Sequence, residues 1–279
     1  MQKQTPIEKS LLYLDEFFRL IPKSVAHIPL ERKYARVVLI IIWRAERFKE
    51  SILSLNNNVS QLVAFGLIRP LMEMVIDTLY IASEKDNTLA ERYAAFEAYE
   101  NLKQHIMGLT QLSEDKHTFK DILAFYSKHR NEINIFIDNK HQQNDLKNLL
   151  SNKPADNILN NIYSLFKVFD WRPKGLKLEV MYKKVSNQLS QMDMDHFEGM
   201  YRMYYKYPSS SLHSSPVNAY YYINEPKYDP QKDMVKEDLA FSALPGIYRC
   251  FQIAALNSNL ITAQENLQLD QLFSDIPDF

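Results

Sequence analysis

Residues 60–83, SQLVAFGLIRPLMEMVIDTLYIAS, decide the fold. Leu62, Val63, Phe65, Leu67, Ile68, Leu71, Met72, Val75, Ile76 and Leu79 fall on nearly every side of a helical wheel, and a helix apolar all round must be enclosed by other helices. This stretch is therefore expected at the centre of the molecule. Into it the chain sets Arg69, Glu73 and Asp77, four residues apart and so stacked on one face, where a guanidinium and carboxylates can pair. Charges taken out of water need partners, so a buried ion-pair constellation is expected. Pro70 lacks the N–H that would bond the carbonyl of Gly66, and its ring presses on that carbonyl. A kink is expected there, which would turn Arg69 and Glu73 toward a cavity or fix the register of an internal pair.

Before this helix, residues 30–55 read as a long helix with a buried middle, VVLIIIW, and an amphipathic second half. The β-branched run could form a strand, but its flanks ERKYAR and RAERFKES are strong helix formers and no second strand is offered nearby. Asn56, Asn57 and Asn58 supply the turn and Ser60 an N-cap, giving an antiparallel helical hairpin. Residues 6–21 form a peripheral helix ended by Pro22.

After the central helix, residues 89–112 repeat Tyr93, Phe96, Tyr99, Ile106 and Leu109 at helical spacing, and residues 119–138 give another helix. The segment from about 139 to 157, rich in Asn, Gln, Lys and Asp, is expected to be a solvent-facing, mobile connection with a short helix at 146–150. Residues 158–169 are amphipathic, and DWRPKGL then breaks the pattern, with Trp171 and Arg172 read as a packed corner. Helices follow at 178–189 and at 195–207, DHFEGMYRMYYKY, which Pro208 ends. The last strong helical pattern runs from 234 or 237 to about 259, and Pro245 with Gly246 should kink or split it. From about 264 the acidic tail is expected to be loosely attached. With no internal repeat and no domain boundary visible, residues 1–279 read as a single all-α domain, a bundle of about eight to ten helices.

Composition agrees with helices. Only 5 Gly stand against 46% hydrophobic residues, and 17 Tyr with 15 Phe supply bulky core material. With 33 basic and 34 acidic residues, no global pull toward nucleic acid or a membrane exists. Cys250 stands alone, which excludes an intramolecular disulfide and suits a reducing compartment. The start, MQKQTPIEKS, lacks the apolar core of a signal peptide, and the most apolar run, 37–43, is far below the roughly 20 residues that span a bilayer. A cytoplasmic protein without a membrane partner is expected.

A second polar feature is the cluster Tyr201, Tyr204, Tyr205, Ser209, Ser210, Ser211 and His213. A histidine among hydroxyls has the donors and acceptors for proton transfer at neutral pH, while serines between Pro208 and Pro216 also serve simply to cap and turn the chain. Metal binding is not expected: a ferritin-like site needs two Glu-x-x-His units, and only Glu114 to His117 occurs. No phosphate-cradling glycine loop, nucleophile elbow or zinc spacing is present, and no cofactor is implied.

The pattern LIRPLMEMVIDTLYIAS, then AERYAAFEAYENLK, then YRMYYKYPSSSLHSSP resembles a bacterial family of all-helical proteins of unknown function, marked by Arg-x-x-x-Glu on a central helix and a later Tyr, Ser and His element. The resemblance covers about residues 30–261 and implies that Arg69, Glu73, Tyr205, Ser211 and His213 correspond to the family's polar motif. Ribonucleases of the higher-eukaryote-and-prokaryote nucleotide-binding type carry Arg, four to six residues and then His on one helix; no Arg of this chain has a His at that spacing. Only a split version, with Arg69 meeting His213 in space, would be analogous.

Two functions follow. In the first, Arg69 binds an anionic group, Glu73 orients it and His213 handles a proton, with Asp77, Tyr99, Tyr205 and Ser211 as ligand contacts. The ligand would be a small anion, a nucleotide or RNA, in a bacterial defence or toxin setting drawn from helical toxins by analogy. In the second, the same residues form a structural polar network in a non-enzymatic interaction or scaffold protein.

Overall fold

The computed structural model describes residues 5–53, 61–111, 121, 124–137, 171–173, 175–187, 189–206 and 237–276. All regular secondary structure among these residues is helical. The chain divides into two compact units, one of Met1–Asp86 with Lys177–Phe279 and one of Asn87–Leu176.

In the first unit, α1 (Pro6–Leu20) starts on a capping box. Glu8 N–H donates to Thr5 Oγ1 at 3.2 Å and Thr5 N–H to the Glu8 carboxylate at 2.7 Å, so two orphan donors are satisfied and Pro6 fills the first helical position. Helix α2 (Lys33–Leu53) settles the ambiguity of VVLIIIW: it is helical, with Val37, Val38, Leu39, Ile41 and Ile42 buried. Helix α3 (Gln61–Glu84) passes through Pro70 and is the expected hub. Every residue from Val75 to Ala82 is buried, Asp77 and Thr78 included. Around it pack α2, α6 (Leu178–Ser186), α8 (Glu237–Asn257) and the π-helical turn Tyr201–Lys206 that continues α7 (Gln191–Met200).

Two expectations are corrected here. Pro245 does not split its helix: α8 runs unbroken through it. An interior proline costs about 3 kcal/mol, but Ala243, Leu244, Ile247, Tyr248 and Phe251 are buried on both sides of it, and that packing offsets the cost. Nor is the chain from about 264 a loose tail. It forms α9 (Ala263–Ser274), opened by a second capping box between Thr262 and Glu265, with Leu269, Phe273 and Ile276 buried. The Phe273 ring meets Tyr13 edge-on at 5.4 Å, and Lys9 Nζ donates to the Asp275 carbonyl at 2.8 Å, so α1 and α9 are tied together. A high density of acidic and amide residues disguised a helix whose apolar positions Leu269 and Phe273 are one turn apart.

The second unit is built on α4 (Asn87–Gln111). The helix expected over 119–138 is interrupted: residues 124–128 are helical, His129 leaves helical geometry at φ −110 and ψ 23, and α5 (Arg130–Asn134) follows. Beyond the break Ile133, Phe136 and Ile137 are buried. Trp171 is the packed corner that its sequence suggested: its ring lies 5.0 Å from Tyr93 and its carbonyl accepts from Arg92 Nε at 2.6 Å. Gly175, two residues after Pro173, takes φ +90, a region that side-chain-bearing residues avoid. The connection at about 139–157, the helix at 158–169, the turn at Asn56–Asn58 and the Glu114–His117 pair lie outside the described residues.

Candidate functional site

Arg69, Glu73 and Asp77 occupy one face of α3, as their spacing requires, but the pair is not sealed in apolar surroundings. The Arg69 side chain is 25% exposed and that of Glu73 39%, whereas Asp77 is 6% exposed. This corrects the expectation of a buried ion pair. The face runs from half-exposed to buried along the helix because neighbouring elements close over the turn that carries Asp77 and leave the preceding turns half open.

Arg69 Nε stands 3.6 Å from Glu73 Oε1. That is an ion pair but too long for a hydrogen bond. Among the described residues the Arg69 guanidinium makes no hydrogen bond; its other contact is the face of Tyr205, with its central carbon 5.3 Å from the ring centroid.

Tyr205 belongs to a stack. Its ring lies parallel to Tyr201 at 5.1 Å and 14°, and Tyr201 lies on Tyr182 at 3.9 Å and 17°. Phe197 backs Tyr182 at 5.2 Å. Tyr201 and Tyr205 stand four residues apart in the π-helical turn Tyr201–Lys206, so they share one face of it. Helix α6 supplies Tyr182, α7 and its π turn supply Tyr201 and Tyr205, and α3 adds the guanidinium. On the same side, Lys184 of α6 lies 5.4 Å over the Tyr80 ring and 4.0 Å from Glu84, a further tie between α6 and α3.

Burial, reinforced by Tyr205, Glu179 and Tyr182 nearby, pushes the Tyr201 phenol from its ordinary 10 up to about 12. The unfolded chain therefore gives up this proton first, and hydroxide favours unfolding. The stabilisation tied to Tyr201 is complete below pH 10 and is lost as the pH rises toward about 12. Urea unfolding followed across that window should show Tyr201→Phe losing less stability than the wild type; equal losses would contradict this placement.

Tyr99 lies in the second unit. Its ring is fully buried, stacked on Phe96 at 5.9 Å and against Phe136 at 5.0 Å, so it builds that unit's core. Ser209, Ser210, Ser211 and His213 lie outside the described residues.

A second polar constellation joins α1, α7, α8 and α9. Arg249 Nε donates to Asp193 Oδ1 at 3.1 Å, and Arg249 Nη1 is paired with Asp270. Gln252 Nε2 donates to Asp270 and to Asn266 Oδ1, each at 2.8 Å, while Gln252 Oε1 accepts from Tyr13 Oη at 2.8 Å. Desolvation raises the Tyr13 phenol far above its usual range, and Cys250 beside it is likewise held as an inert thiol by burial. Reading the sequence missed this network and the stacking role of Tyr182. The Tyr201 and Tyr205 spacing was a usable signal; Arg249 and Asp270, far apart along the chain, carried none.

Together these features define the class: an all-α protein whose hub helix presents a half-exposed Arg–Glu pair against a tyrosine stack. The model of a family of unknown function, DUF5677, matches residues 45–231 of this chain, which belongs to that family. The match includes Arg69, Glu73, Asp77, Tyr182, Tyr201 and Tyr205, and ends before Arg249 and Asp270. Comparison with curated proteins and with solved structures gave no match. Among the described residues no helix is long and apolar enough to cross a membrane.

Proposed function

We propose that the chain binds a small anionic ligand, a nucleotide or an RNA phosphate, at Arg69. The observation that carries this reading is a guanidinium held on the face of Tyr205, three-quarters shielded, whose N–H groups make no hydrogen bond to any described residue. Arginine offers five donors in a rigid fork that matches phosphate, and a stacked arginine loses little freedom when it binds. Glu73 steadies the fork from one side. In this reading His213 supplies proton transfer and Ser211 a hydroxyl, which would make the site one for nucleotide or RNA processing of the toxin or defence kind.

Arg69→Ala is the direct test. Because the Glu73 carboxylate is 39% exposed, losing its partner does not strand a buried charge. The melting temperature should fall only by the equivalent of about 0–1 kcal/mol, while affinity for nucleoside monophosphates drops about tenfold or more in calorimetric titration. Retained affinity would sink the proposal.

The stack Tyr182–Tyr201–Tyr205–Arg69 also favours a second reading, a structural seam tying α3, α6 and α7 in a scaffold protein. That reading requires no nucleotide binding by the wild type, and a stability loss in Arg69→Ala of about 1–2 kcal/mol from the contact with Tyr205.

A further inference from the structure

Over three successive turns the polar face of α3 carries one cation and two carboxylates: Arg69, Glu73 and, a turn further into the core, Asp77. A bare anion arriving at Arg69 meets Glu73 as well, because Oε1 is 3.6 Å from Nε. Repulsion between unit charges at that range is of the same order as the attraction the guanidinium offers, and both groups are partly shielded from water, which keeps the two effects strong. A plain anion therefore gains little. Like Arg69, the Glu73 carboxylate makes no hydrogen bond to any described residue, so it keeps its acceptor capacity.

Resting on the reading that Arg69 is an anion site, we infer that Glu73 is its selectivity element: it admits an anion whose own molecule also brings a hydrogen-bond donor, as the base N–H and ribose O–H groups of a nucleotide do, and turns away inorganic phosphate. The phosphate takes the Arg69 fork, and the donor of the same molecule satisfies Glu73 instead of leaving two negative groups face to face. The 3.6 Å separation is what allows this, since a ligand need break no hydrogen bond between the two side chains to engage both.

The experiment is isothermal titration of the whole protein with guanosine monophosphate, adenosine monophosphate and inorganic phosphate, each added separately to wild type, Glu73→Gln and Arg69→Ala. The wild type should bind at least one nucleotide about tenfold or more tighter than phosphate. Glu73→Gln, which keeps the shape and removes the charge, should bind phosphate about tenfold better and close most of that gap, with melting unchanged. If phosphate and nucleotide bind equally to the wild type, or if Glu73→Gln leaves their ratio where it was, Glu73 is not a filter. Loss of both ligands in Arg69→Ala would show that the anion site itself survives that failure. If neither ligand binds wild type or Glu73→Gln, the anion site and the filter both fall.

Discussion

Arg249→Leu is expected to cost about 3 kcal/mol of stability, or about 6–12 °C in melting temperature for a unit of this size. Arg249 is 14% exposed and holds Asp193 at 3.1 Å together with Asp270, so removing it leaves two carboxylates facing each other across a space they were desolvated to share. The cost stays below the upper end for buried pairs because Asp270 is 34% exposed and recovers part of its hydration. Leucine replaces the first part of the stem but not the guanidinium, whose central carbon lies 5.4 Å from the Phe273 centroid, so the loss combines charge and packing. Adding Asp193→Asn and Asp270→Asn to Arg249→Leu should restore part of the stability, since no carboxylate is then stranded. A change below about 1 kcal/mol in calorimetric melting would mean that water already satisfies these groups.

Tyr201→Ala is the second large effect, about 3–4 kcal/mol of destabilisation together with loss of the Arg69 site. Tyr201 is the middle ring of the stack, covered by Tyr182 on one side and Tyr205 on the other, and it is buried. Its removal opens a cavity at the junction of α6, α7 and the π turn and releases Tyr205, the platform on which Arg69 rests. Nucleotide affinity should fall nearly as far as in Arg69→Ala, although Tyr201 touches no ligand. Tyr201→Phe keeps the ring and should restore both stability and affinity near neutral pH. If Tyr201→Ala stays folded and binds nucleotides like the wild type, the stack does not position Arg69.

Local patterns were legible. The all-helical class, the hub at α3, the end of α1 before Pro22 and the shared face of Arg69, Glu73 and Asp77 all follow from spacings within a few turns of one helix, which the backbone geometry converts directly into faces. The two capping boxes, Thr5 with Glu8 and Thr262 with Glu265, are equally local, but reading the sequence passed over both. Of the kink or split expected at Pro245 the split is excluded, because packing on both sides offsets the proline's local cost, and residues 263–274 misled because a polar surface hides a narrow apolar stripe.

What the linear order of residues could not express is which faces meet. Whether Arg69 is sealed or half open depends on how far α6 and the π turn cover α3, and the partnership of Tyr182 with Tyr201 depends on how two separate helices meet. Tyr13 and Gln252 are 239 positions apart, yet their hydrogen bond helps fasten the first helix to α8. Periodicity settles the orientation of a side chain on its own helix; its neighbours on other helices are chosen by the packing of the whole unit, where burial, stacking and charge pairing are minimised together.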